Sequence, residues 1–460
     1  MIWKLYPLLI CLLHPTLVSV TVFSRHGERT ALNPLNFFNK SDDPAPGHLT
    51  NLGMKQHHHL GNLVREHYLS LPDSSTNTNS FFNFSYSSSS TYFRASPFPR
   101  TIQSAAAQAM GLFPKGTSTG GEGDDTDPFH TIPIQSEHYD EEALFAANHI
   151  CPYSLAKKAA YLNSSDHTAF VEEFTPLFTK CSQLKEGMTI TASNFAELAD
   201  EMERKFSHKE LLDENEIALF SELDAAKQKL WSNYNLNNDS KWNMNQIGLL
   251  FGEIFFKNPV ADLNSYKSKI AKSSQSANAE QPSQSYIPLR IYVGHDFNLW
   301  NILRVLQVDQ KHLPYFASAF LVELHVDDKQ IPFVKLFSIE KIDCDSDTPL
   351  KDLLIPIQPP SCPVDCPLST LQSTFKNISF TGTVTTDFLT NQCGLTLSLP
   401  PTKQVKYKGG STYTVYPLLA VFGMLVTAEC WIIFLSFMEK RKKIKAAGFV
   451  KLESTDLDSS

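Results

Sequence analysis

The sequence predicts an α/β sheet domain with a mainly α-helical unit inserted in it, followed by one C-terminal transmembrane helix. Three observations carry that expectation. Short β-branched apolar runs close in polar loops at both ends of the body, "VSVTVFS" at 18–24 and "PLRIYVG" at 288–294. Residues 140–260 between them carry long helical spacings and little strand character, clearest in "HKELLDENEIALFSELDAAKQKLW". The run "YPLLAVFGMLVTAECWIIFLSFM", Tyr416 to Met438, is long and apolar enough to span a hydrocarbon core.

Each element follows from local chemistry. "VSVTVFS" is nearly continuous in apolar and β-branched residues, as a strand buried on both faces must be. The loop Arg25 to Arg29 follows it, and then a helical spacing runs from Leu52 to Tyr68. "SSTNTNSFFNFSYSSSSTYF" reads as a loop leading into a strand near Phe84–Phe93. "PRTIQSAAAQAMGLFP" puts Ile102, Ala106, Ala109 and Met110 on one face and stops near Gly111–Pro114. "AKSSQSANAEQPSQS" is a polar linker, "PLRIYVG" is a second buried strand ending at "HD", and "SAFLVELHV" and "FVKLFSI" are further strands of the same sheet.

The ends fix the compartment. "MIWKLYPLLICLLHPTLVS" has a basic start, a short apolar stretch and small residues after it, a secretory leader over residues 1–19. "EKRKKIK" directly after Met438 is a positive-inside stop signal, so the body faces the lumen or the exterior. A stalk at 401–415 and a tail at 439–460 flank the span, which carries Glu429. Of the eight cysteines, Cys11 falls in the leader and Cys430 in the span. Cys151, Cys181, Cys344, Cys362, Cys366 and Cys393 remain in an oxidising compartment, where they are expected to form disulfides. Sequons stand at Asn39, Asn83, Asn163, Asn238 and Asn377, all on the lumenal side. A net charge of -8 over 460 residues excludes nucleic acid as a default partner.

In open α/β sheets ligands bind beyond the carboxyl ends of strands. "SRHGERT" and "HD" both fall there, and the helix opening with "PRTIQSA" is able to face the same rim. Arg25, Arg29 and Arg100 supply cations whose forked geometry matches phosphate or carboxylate. A histidine among them, such as His26, has its protonated form disfavoured and stays nucleophilic at mildly acidic pH. His295 adds an imidazole, and Asp296 a carboxyl able to protonate a leaving oxygen.

These segments carry a resemblance. "FSRHGERT" is similar to the RHGxRxP signature of the histidine acid phosphatases, the branch of the histidine phosphatase superfamily that pairs it with a later "HD". "LTNLGMKQHHHLG", "RASPFPRTIQSAAAQAMGLFP", "YVGHDFNLW", "PYFASAFLVEL" and "SCPVDCPL" resemble further landmarks in family order over roughly residues 18–400. Within the family the likeness is to animal enzymes of the prostatic and lysosomal types, and the span and short tail look like the lysosomal type.

The resemblance implies a histidine-phosphatase-like ectodomain over 20–400. Its α/β core would occupy about 20–130 and 286–400, and the helical insertion about 131–270. It implies His26 as the nucleophile that becomes phosphohistidine, Asp296 as proton donor, and Arg25, Arg29, Arg100 and His295 as phosphate ligands. Arg94 would brace the loop. It implies small phosphate monoesters as substrates, no cofactor and no metal, and it is compatible with a homodimer. A phosphotransferase of the same superfamily and a catalytically inactive surface ectodomain are the alternatives. The tail has neither a tyrosine nor an acidic dileucine, so the plasma membrane stands beside the lysosome as the location. Family analogy pairs Cys151 with Cys393 and Cys362 with Cys366, and Cys181 with Cys344 is the expected third pair. Ala31 stands where the signature has Pro, and "RASPFPR" replaces RSTDxDR, changing two polar rim positions to Pro97 and Pro99.

Overall fold

The chain divides into two compact units, Met1–Thr396 and Leu397–Ser460. The computed structural model describes residues 15–35, 45–69, 86–114, 131–139, 142–145, 151–184, 187–207, 213–234, 247–273, 287–379 and 381, all in the first unit. The apolar part of the leader, the span at 416–438, the stalk and tail, the polar linker beyond Ser273, Cys393, Asn39, Asn83 and Asn238 lie outside the described residues. Among the described residues no helix is long and apolar enough to cross a membrane.

The core is a mixed sheet. Its strands are β1 (Thr16–Arg25), β2 (Thr91–Ala95), β3 (Leu289–Gly294), β4 (Ala319–Val326), β5 (Pro332–Ile339), β6 (Ile355–Ile357) and β7 (Cys366–Pro367). The order is β2-β3-β1-β4-β5-β6, with β7 also on β5. β2, β3 and β1 run parallel, β4 runs against β1, and β5 runs against β4 and so in the direction of β1. Every residue of β3 and β4 is buried, as mostly apolar strands covered on both faces require, and the charged exceptions are paired: Arg290 with Asp262 and His325 with Glu323. β1 starts at Thr16, so the sheet uses residues on both sides of Ser19: Leu17 pairs with His325 and Ser19 with Leu324.

Helices cover both faces. α1 (Asn51–Val64) and α2 (Pro99–Leu112) lie on one. There Leu60, Val64, Ala105 and Ala109 meet Val20, Val22, Ile291 and Val293. Thr50 caps α1 by accepting from Gly53 N at 3.2 Å, and Pro99 opens α2 without losing a bonded donor. α1 and α2 touch backbone to backbone, because a Cβ on Gly111 would stand 2.0 Å from His58 O. The helical middle divides by packing. α3 (Pro152–Leu162), α4 (Ser165–Gln183), α5 (Phe195–Ser207) and α6 (Glu214–Tyr234) share their own core around Phe170, Phe178, Phe195 and Leu223. α7 (Asn258–Ser273), α8 (Asp296–Val305) and α9 (Leu368–Phe375) lie on the second face of the sheet. Phe251, Tyr266, Leu299 and Leu371 there meet Phe23, Tyr292 and Phe320.

The cysteine expectations separate. Cys362 and Cys366 are bonded to each other, and Cys151 is in a disulfide. The Cys181–Cys344 pair is corrected: both are free thiols. Cys181 is buried in the α3–α6 core, whereas Cys344 sits on a turn beyond β5 between Asp343 and Asp345, near Lys55 of α1. The two lie in different packing environments. Burial pushes both thiols up to about 11. Alkylation of the unfolded, unreduced chain is expected to label both and to spare Cys151, Cys362 and Cys366. A Cys181–Cys344 peptide in a non-reduced digest would contradict it. Asn163 and Asn377 are exposed, as sequon positions must be to accept a glycan.

Candidate active site

The parallel strands β1, β2 and β3 end at one rim, at Arg25, Ala95 and Gly294, and β4 begins beside them at Ala319. The loop after β1 is held on each side. His26 N donates to Gly294 O at 2.9 Å and Ala317 N to His26 O at 3.1 Å. Beneath it Gly27 lies on the first turn of α1, where a Cβ would meet Gly53 O at 2.3 Å. No other residue fits between that loop and the helix.

His26, Arg29, Arg100, His295 and Asp296 all line one cavity of about 310 Å³. The His26 and His295 rings are 5.5 Å apart. His26 Nδ1 is 2.8 Å from Gly27 O. A carbonyl only accepts, so Nδ1 carries the proton and Nε2 keeps its lone pair. Burial, Arg100, Arg25 and Arg29 hold His26 well below its ordinary value, so it is the free base at acid pH. His295 falls to about 3, through burial first and then Arg100, with Asp296 opposing. Its Nε2 is 2.9 Å from Ser96 Oγ at the end of β2.

The arginines differ in their partners. Arg29 is clamped by Asp200 of α5 in a fork, Nη1 to Oδ2 at 2.8 Å and Nη2 to Oδ1 at 2.9 Å. Arg100 stacks on Phe98 at 4.4 Å, and its buried Nε has no hydrogen-bond partner. Burial, then Arg29, lowers it to about 10. Arg25 lies under the cavity floor, only 1% exposed. It is ion-paired with Glu203 of α5, donates to Pro314 O at 2.6 Å and lies 4.1 Å from the Phe316 ring. Burial opposes its charge, but Glu203 and Asp296 outweigh that and hold it above its ordinary value.

Asp296 opens α8, and its Oδ1 accepts from Phe297 N at 2.8 Å, where the helix N-terminus favours a carboxylate. Burial pushes its carboxyl up. Arg25, Lys227, Arg29 and His295 together overcome this and hold it below the carboxylate range. Arg94 bonds Glu142 at 3.0 Å and Glu137 at 3.1 Å. Of the "HHH" run, His57 faces inward with Nε2 3.0 Å from Arg25 O, burial lowering it to about 4, while His58 is exposed.

Sequence reasoning missed the part of the site that comes from the helical middle. Asp200 and Glu203 hold the arginines, Arg204 Nε bonds buried Glu28 at 2.9 Å, and Lys227 and Trp231 line the cavity. A signal existed. Asp200, Glu203 and Arg204 follow at i, i+3 and i+4 on a helix, one charged face opposite the apolar one.

A family model described as histidine phosphatase superfamily (branch 2) matches residues 16–347. Human prostatic acid phosphatase is 26% identical over 357 residues, covering 75% of this chain and 82% of that protein. Bovine lysosomal acid phosphatase is 36% identical over 102 residues, 22% of either chain. Among solved structures, a phytase from Citrobacter braakii aligns with a TM-score of 0.53 at 14% identity, covering 80% of this chain and 98% of that one. The Klebsiella sp ASR1 phytase gives 0.53 at 16%, covering 79% and 95%. These two likenesses concern the fold.

Proposed function

The chain belongs to the histidine phosphatase superfamily, branch 2, and we propose that it is an acid phosphatase hydrolysing small phosphate monoesters through a phosphohistidine, anchored by its C-terminal span with the catalytic body outside or in a lumen. One observation carries the reading: a free-base His26 faces a cavity it shares with Arg29, Arg100, His295 and Asp296.

His26 Nε2 attacks phosphorus as the ester P–O bond breaks, and the leaving oxygen takes the proton of Asp296. Water, losing its proton to the Asp296 carboxylate, then attacks phosphorus as the P–N bond breaks, and inorganic phosphate leaves with His26 restored. Arg29, Arg100 and His295 hold the phosphoryl oxygens, with Arg25 beneath them, so the charge built up in transfer meets fixed donors.

The surrounding cations keep Asp296 ionised, yet the step needs its acid form. A bound phosphate dianion offsets the cations that depress it, so the carboxyl gains its proton when substrate is present and the medium is acidic. The protonated fraction falls as pH rises, and His26 remains a free base well below its ordinary value. Both effects favour acid pH. The full-length protein in detergent is expected to hydrolyse an aryl phosphate with an optimum near about pH 5, inhibited by tartrate. Hydrolysis that is absent, or that rises steadily to alkaline pH, would overturn the reading.

A further inference from the structure

The helical middle sends a second set of side chains to the site. Asp224, Lys227, Gln228 and Trp231 follow at i, i+3, i+4 and i+7, one face of α6. Asp224 Oδ2 accepts from Leu313 N at 3.0 Å and Gln228 Nε2 donates to Lys311 O at 3.2 Å. These bonds fix α6 to the loop whose Pro314 O holds Arg25. At the other end of the face, Trp231 meets Phe297 and Trp300 of α8 edge-on, centroids 5.4 and 5.5 Å apart. Asp296 is the first residue of α8, so α6 is anchored on both sides of the proton donor.

Between the anchors stands Lys227. Its Nζ is 5.1 Å from the Trp231 ring centroid and 3.9 Å from Asp296 Oδ2, and it lines the cavity. Two residues on, Lys229 points elsewhere and bonds Glu173 of α4 at 2.6 Å. Only one lysine of "KQK" is delivered to the site.

We propose that Lys227 is a positioning residue for the proton donor: through its charge, the inserted helical unit sets how acid the medium must be before Asp296 can protonate the leaving group. The proposal rests on the phosphatase reading above.

The other charges around Asp296 are committed. Arg25 from β1 comes within 3.4 Å of it but is bound to Glu203 of α5. Arg29 is bound to Asp200 of α5. Arg100 of α2 faces the phosphate position, and His26 and His295 are neutral at acid pH. Bound phosphate offsets Arg29 and Arg100, which leaves Lys227 as the cation beside Asp296 on the leaving-group side. A positive charge about 4 Å away still shifts a carboxyl at partial burial.

The test is the pH dependence of kcat, which reports the substrate complex. Lys227→Met keeps the stem over Trp231 and removes the charge. Its basic limb is expected to move up by about one pH unit or more, while the rate at the acid optimum changes less than about tenfold. Lys227→Arg keeps the charge and is expected to leave the limb in place. Lys227→Gln provides a second neutral variant if Lys227→Met melts early. A limb that stays put in both neutral variants, or that moves equally in Lys227→Arg, overturns the proposal. A wild type without His26-dependent hydrolysis removes the phosphatase reading and this one with it. A His26-dependent enzyme with an unmoved limb removes this one alone.

Discussion

Replacing His26 with alanine is expected to lower kcat on an aryl phosphate by about 10⁴-fold or more, because on the proposed route the phosphoryl group is carried by its Nε2. The loss should be chemical rather than structural. The backbone at 26 is held by Gly294 O and by Ala317 N, and neither bond uses the imidazole. The ring's own hydrogen bond stays within the loop, to Gly27 O. Stability should fall by only about 1–2 kcal/mol, the cost of a small buried vacancy. Rapid acid-free quenching should trap a phosphorylated histidine in the wild type and none in the variant. Undiminished turnover by a folded His26→Ala protein would mean that phosphate never passes through this residue.

Arg25→Met is expected to produce two losses that can be separated. On the phosphatase reading the guanidinium supports the phosphate from below, and it neutralises Glu203, whose side chain is only 9% exposed. Without it a carboxylate is buried unpaired, costing about 3–5 kcal/mol near neutral pH. The sign of the pH dependence follows. Unpaired and buried, Glu203 in the variant titrates above its unfolded value. Its protonated form is then the tolerated one, so the deficit shrinks as the medium is acidified. Arg25→Met with Glu203→Gln should therefore recover most of the melting temperature and none of the activity. Thermal melts at neutral and acid pH, beside kcat, check both halves. A double variant as unstable as the single one would show that Glu203 is not the source of the cost.

The rim was legible because its strands are buried on both faces. β1 and β3 read as β-branched, largely apolar runs whose polar successors, Arg25 to Arg29 and His295 to Asp296, had to lie at their carboxyl ends. Arg100 was legible from Pro99, which marks where a helix begins. β6 and β7 were not, since two or three residues containing proline carry no period. The α5 and α6 contributions were hidden for another reason. A helix face of Asp224, Lys227 and Gln228 looks like one turned to solvent, and only tertiary packing reveals that it meets another part of the chain. Strand Thr16–Arg25 also reaches back beyond the expected start at residue 18, because β4 offers partners that far.

The contact of Gly27 with α1, and of Gly111 with the same helix, has a mechanical consequence. His26 and Arg100 are carried on three segments pressed together with no side chain between them, so they cannot drift apart as a ligand comes and goes. The opposite wall has a different construction. It meets the rim largely through charged groups, Glu203 to Arg25, Asp200 to Arg29, Arg204 to Glu28 and Lys227 to Asp296, beside the packing of Trp231 on Phe297 and Trp300. On the phosphatase reading, motion that admits ester and releases product is expected of the helical wall rather than of the segments pressed together at the glycines. Its tempo should follow ionic strength, since salt weakens that wall's grip and leaves the glycine contacts untouched.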